Sequence, residues 1–114
     1  MFHPTLKIKI YQEDLVFGPG LVILMEHILV TESMKDACGE MGMSYSKGWK
    51  IVKDAQKQLG FPLLNTKSGG AEGGFSQLTP QCREFLKNYL DMEAELAAES
   101  RKLFEKYFGR GTDS

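Results

Sequence analysis

The chain has 114 residues, of which 42% are hydrophobic and 25% charged, which is one domain's worth, with apolar side chains enough for a core and the charge content of a soluble protein. Its formal net charge is −1, so affinity for a polyanion would have to come from where charges sit, not from their sum. Cys38 and Cys82 form no CxxC pair and no Cys/His set with zinc spacing, which argues against a zinc module and predicts two reduced, buried thiols. No apolar run approaches the roughly 18 residues of a membrane span. The first ten residues alternate polar and apolar instead of forming a signal-peptide h-region, so a cytoplasmic protein with no membrane partner is expected.

In chain order, Leu6, Ile8 and Ile10 alternate with Lys7, Lys9 and Tyr11, the period of a half-buried strand with a wet lysine face. Val16-Phe17-Gly18-Pro19-Gly20 breaks the chain, and Pro19 suits the first turn of a helix. Leu21, Leu24, Met25, Ile28 and Leu29 then form the apolar stripe of a first helix ending near Thr31. Ser33 with Asp36 resembles an N-capping arrangement, followed by Met34, Ala37, Cys38 and Met41 on a short second helix that Gly42 stops. Ser44 caps a third helix, whose expected inner face carries Tyr45, Gly48, Trp49, Val52, Ala55 and Leu59. Gly60 and Pro62 end it. Leu63 and Leu64 open a strand, a glycine-rich loop follows, and Phe75 to Leu78 return, which predicts a β-hairpin. Thr79-Pro80 starts a last helix running to about Phe108. At about 1.5 Å per residue that helix is roughly 43 Å long, more than so small a core can cover. Along it Tyr89, Leu96 and Leu103 recur every seven residues, with Leu86, Met92 and Tyr107 near the intervening positions.

The expected architecture is a single domain, mainly α with a small β component. It comprises an N-terminal strand region (1–17), a first helix (19–32), a helix-turn-helix unit (33–59), a wing hairpin (63–78), a long helix (79–108) and a tail (109–114). Two short helices joined by a tight glycine turn and followed by a hairpin are the parts of a winged helix-turn-helix.

The charge pattern agrees. Ser46, Lys50, Lys53 and Lys57 are spaced i, i+4, i+7, i+11 on the third helix, with Lys47 beside them. From Ser33 to Ser68 there are six lysines against three acids, whereas the last helix has six acids against five basic residues. Positive charge is thus concentrated on the presumed recognition unit, where lysines neutralise phosphates and release counterions. Ser44, Tyr45 and Ser46 at the helix start are placed to donate to phosphate or base edges. Tyr45 and Trp49 fit core packing better than base stacking, because their spacing matches Val52 and Leu59. Gly48 is read as a close approach of the second helix.

No catalytic set is visible. The glycine loop lacks the Gly-Lys-Ser/Thr ending of a P-loop, and it joins strand to strand. His3 and His27 have no partner triad, and Glu93 and Glu95 lie on different sides of a helix. Neither an enzyme nor a bound metal or cofactor is expected.

Residues 15 to about 90 resemble the N-terminal DNA-binding domain of ModE-type molybdate-responsive regulators, itself similar to the winged helix of LysR-type regulators. The resemblance rests on Ser33-Met34-Lys35-Asp36-Ala37, on Ser44-Tyr45-Ser46-Lys47-Gly48-Trp49, and most specifically on Gly69-Gly70-Ala71-Glu72-Gly73-Gly74 with Leu78-Thr79 after it. It implies a third helix in the major groove, a wing over the adjacent backbone, and a homodimer paired through the first and last helices. Carried over, it sets Ser44, Tyr45, Ser46, Lys47 and Lys50 against DNA, with Lys67 and Ser68 at the wing base; Lys53 and Lys57 of the charged stripe and Ser33 and Lys35 of the second helix complete the expected DNA-binding set. The dimer set is Leu21, Leu24, Leu86, Tyr89, Met92, Leu96, Leu103 and Tyr107. Glu72 stands where such wings often carry a basic residue, and Cys82 where the family usually has glycine. The chain ends soon after the long helix, so the resemblance implies duplex DNA as partner and leaves any molybdate sensing to a separate effector-binding protein. Two rivals stay open at this point: a protein-interaction module on the same scaffold, and a small-molecule-responsive sensor.

Overall fold

The computed structural model describes residues 2–67 and 75–109. The glycine loop with Ser68, and the tail beyond Gly109, lie outside them. Four helices and two separate two-stranded antiparallel sheets follow in the order β1 (Ile10–Tyr11), β2 (Leu15–Phe17), α1 (Pro19–Thr31), α2 (Met34–Met41), α3 (Tyr45–Leu59), β3 (Leu64–Lys67), β4 (Phe75–Leu78) and α4 (Pro80–Phe108).

The helix ends follow from local chemistry. Ser33 Oγ accepts the Asp36 N–H at 3.0 Å, Ser44 Oγ accepts the Lys47 N–H at 3.1 Å, and Thr79 Oγ1 accepts the Cys82 N–H at 3.1 Å. Each satisfies one of the four orphan donors of a helix start. Thr79 also donates its hydroxyl to the Pro62 carbonyl at 2.7 Å, which ties the start of α4 to the chain leaving α3. Gly42 ends α2 at φ +68°, a left-handed conformation that glycine adopts without a Cβ penalty.

The core lies where α1 crosses α2, α3, the β3–β4 hairpin and the first turns of α4. Phe17, Leu24, Met25, Ile28, Cys38, Val52, Leu63 and Cys82 are its largest fully buried side chains. Hairpin β3–β4 pairs Leu64 with Leu78 and Lys67 with Phe75. It is moored to the end of α1: the Ser76 N–H donates to the Glu32 carbonyl at 2.8 Å, and Gln77 Nε2 donates to the Glu32 carboxylate at 2.7 Å.

The N-terminal region departs from expectation. The alternation from Leu6 to Ile10 predicted a longer strand, yet only Ile10 and Tyr11 pair, and their partner is β2, a segment expected only to break the chain. The cause lies in the register. Ile10 faces Phe17, and Gly18-Pro19 then turns the chain into α1, so residues before Ile10 have no strand beside them. Leu6 is accordingly half-exposed. Phe17 makes an aromatic cluster instead, with ring centroids 4.7 Å from Phe85 and 5.4 Å from Tyr89. The Tyr89 hydroxyl donates to the Ile8 carbonyl, fixing the N-terminal segment on α4.

Helix α4 has two unlike halves. Cys82, Leu86 and Tyr89 are its buried residues, and beyond Tyr89 none is buried. The distal turns project from the body, giving extents of 67 × 28 × 22 Å and a radius of gyration of 17.8 Å, against about 13 Å for a compact chain of this length.

Candidate nucleic-acid interface

Helix α3 is seated by one face and open on the other. Gly48, Val52 and Ala55 are buried. A Cβ at Gly48 would lie 2.3 Å from Cys38 Sγ and 3.1 Å from Met34 Cε, so the lack of a side chain there lets α2 and α3 approach. On a helix turning 100° per residue, Ser46, Lys50, Lys53 and Lys57 fall within about 60° of one another, opposite that buried strip. All four are exposed, as are Ser44, Tyr45 and Lys47. The expected lysine stripe is therefore continuous and outward-facing.

Tyr45 shares the helix face of Val52, as its spacing predicted, but it is not packed into the core. It is 53% exposed, at the first turn of α3, where the chain has only just left the α2–α3 turn. Its ring meets that of Trp49 edge-on at 6.3 Å, and Trp49 is half-buried against the core. Tyr45 is thus an exposed aromatic at the start of α3.

The remaining predicted residues fall into place unevenly. Lys35 is exposed on α2, and Ser33 is partly covered and occupied as its cap. Lys67 is exposed at the end of β3, and Ser68 lies outside the described residues. One feature of the stripe was not anticipated from the sequence. Lys50 Nζ sits 2.9 Å from the Asp54 carboxylate, so one lysine is already paired within the helix. The i, i+4 spacing was the available signal.

The dimer set divides in two. Leu21, Leu24, Leu86 and Tyr89 are buried in the protomer's own core, so their apolar surface is already used by the fold. Met92, Leu96, Leu103 and Tyr107 are exposed on the projecting turns of α4. The seven-residue spacing continues one helical face from the core outwards, and it carries no signal for where the core stops.

Both cysteines are free and buried. Burial pushes the Cys82 thiol up to about 11, with Arg83 pulling weakly the other way, and burial also raises Cys38. Both are held protonated and poorly nucleophilic at neutral pH. Among the described residues no three His, Cys, Asp or Glu side chains gather as a metal site, and no helix is long and apolar enough to cross a membrane.

No family model matches the chain. It is 32% identical over 80 residues to the molybdenum-pterin-binding protein MopB of Rhodobacter capsulatus, a match covering 70% of this chain and 30% of that protein. It is 30% identical over 70 residues to the molybdenum transport protein ModE of Herbaspirillum seropedicae, covering 61% of this chain and 26% of that protein. Over 92 residues it is 26% identical to the DNA-binding transcriptional dual regulator ModE of Escherichia coli K12, covering 81% of this chain and 34% of the regulator. These matches support a ModE-family relationship. The matched stretch spans about a third or less of each of these relatives.

Proposed function

We propose that this chain is a winged helix-turn-helix transcription regulator that binds duplex DNA sequence-specifically as a homodimer. The observation that carries the proposal is the outward stripe of Ser46, Lys50, Lys53 and Lys57 on α3, directly after a short helix and a left-handed glycine turn. In this reading α3 enters the major groove. Its first turn, with Ser44, Tyr45 and Ser46, faces base edges, while Lys47, Lys53 and Lys57 meet phosphates. Hairpin β3–β4 is the wing, and Lys67 brings a further positive charge to its base. The name of the Escherichia coli relative, a DNA-binding transcriptional regulator, supports the same function.

The distal half of α4 supplies the two-fold contact through Met92, Leu96, Leu103 and Tyr107. Large apolar side chains repeated along a projecting helix are stabilised by a second copy more than by water. A two-fold dimer sets two recognition helices about 34 Å apart on successive major grooves, which requires a near-palindromic site.

The test is binding to random genomic duplex at two salt concentrations, with the bound fragments sequenced. Tight binding that weakens with salt and enriches a palindrome is expected. No binding at low salt would remove the reading.

A further inference from the structure

The basic surface does not stop at α3. A crevice of about 490 Å³ is lined by Lys7 and Lys9 of the N-terminal segment, by the chain from Leu15 to Leu21, and by Met43, Ile51, Asp54 and Ala55 in and just before α3. Two lysines remote in sequence from the helix-turn-helix unit are thereby set beside the flank of the recognition helix. They are not on a loose tail. Ile8, between them, is half-buried against the core, and its carbonyl accepts the hydroxyl of buried Tyr89. Two residues further on, Ile10 pairs with Phe17. Lys9 packs its stem near Gly18, with Cγ 3.7 Å from where a Cβ there would lie, while both lysines remain exposed.

The one acid in the crevice wall, Asp54, is occupied by Lys50 at 2.9 Å. Glu13 and Asp14, in the turn between β1 and β2, are not among its walls. Surface lysines on an anchored backbone, next to a helix whose open face is lysine-rich, match the charge of a phosphate backbone.

We infer that Lys7 and Lys9 form a second, sequence-independent docking point for duplex DNA, gripping the phosphate backbone that flanks the groove occupied by α3. This rests on the DNA-binding reading above and extends it to a segment outside the helix-turn-helix and the wing. The alternation of Lys7 and Lys9 around Ile8 then has a purpose that a two-residue strand does not need: Ile8 is held and the lysines are offered.

The experiment measures the salt dependence of affinity for one selected duplex, using the full chain. Four proteins are compared: wild type, Lys7→Ala/Lys9→Ala, Lys53→Ala/Lys57→Ala, and Arg101→Ala/Lys102→Ala as a control on exposed α4 residues with the same change in net charge. Removing two phosphate contacts should lower the slope of log K against log salt by about 1 per lysine. The expected result is a fall of about 2 for Lys7→Ala/Lys9→Ala, no change in the sequence enriched from random fragments, and an unchanged slope for the α4 control. A wild-type slope in the Lys7→Ala/Lys9→Ala protein overturns the inference. So does an equal fall in the α4 control, which would show an effect of net charge alone. If Lys53→Ala/Lys57→Ala lowers the slope in either case, the DNA-binding reading survives. If wild type itself binds no duplex in a salt-dependent way, both fail together.

Discussion

Helix α3 and the distal half of α4 both leave a face uncovered, and the two faces differ in kind. That of α3 is lysine and serine, with one internal ion pair between Lys50 and Asp54. That of α4 carries Met92, Leu96, Leu103 and Tyr107 on turns with five acids and three basic residues. An uncovered lysine face is stable in water by itself and gains by meeting a polyanion. An uncovered apolar face is unfavourable in water and gains by meeting another apolar face. In the proposed function the first face serves DNA and the second a second copy of the chain. Between these surfaces lies a core that belongs to neither.

The sharpest way to break this comparison is a pair of substitutions on one helical face of α4. Leu86→Ala removes a buried side chain and should cost about 2–5 kcal/mol, a large part of a small domain's stability, visible as a drop in Tm or in denaturation midpoint. Leu96→Ala, ten residues on, should leave a protomer whose stability changes little at dilution, while sedimentation shows weaker self-association. Equal stability losses from both would mean that the distal turns are packed in the protomer as well.

A smaller effect is expected at the seat of α3. Gly48→Ala forces a methyl towards Cys38 and Met34, an overpacking cost of about 1–3 kcal/mol set against a helix-propensity gain of about 1 kcal/mol. A net loss in thermal stability is expected, accompanied by weaker DNA binding as α3 shifts on its seat. In a Cys38→Ala background the sulfur is gone, and the same glycine substitution should then be close to neutral. Additive losses would place the strain elsewhere.

The smallest effect on stability is expected on the basic face itself. Asp54→Asn removes an exposed i, i+4 ion pair worth about 0.3–0.5 kcal/mol at most, so Tm should barely move. It also releases Lys50, so DNA affinity at low salt should rise and the salt slope should steepen by up to about 1. An unchanged slope would take Lys50 out of the phosphate contacts.

Helix boundaries were legible because they are decided within four or five residues. Ser33, Gly42, Ser44, Gly60 and Thr79-Pro80 act through local hydrogen bonds and backbone conformation, and the structure keeps every one of them at its helix end. The lysine stripe was legible for the same reason, since helical spacing alone puts Ser46, Lys50, Lys53 and Lys57 on one side. Tyr45 was misjudged because an aromatic at an inner-face position is buried only if another element reaches it, and among the described residues it stays 53% exposed at the first turn of α3. The short β1–β2 pairing was missed because strand length depends on the partner strand, and Phe17 is followed at once by the turn into α1.

By itself, then, the sequence determined the order and limits of the helices, the hairpin after α3, and the concentration of positive charge from α2 to β3, because these depend on contacts between near neighbours. Only the tertiary structure decided that Leu21, Leu24, Leu86 and Tyr89 are interior while Met92, Leu96, Leu103 and Tyr107 are not, and that Lys7 and Lys9 lie beside α3. Those facts depend on where the core ends and which distant segments lie against it. Helical periodicity continues unchanged across that border.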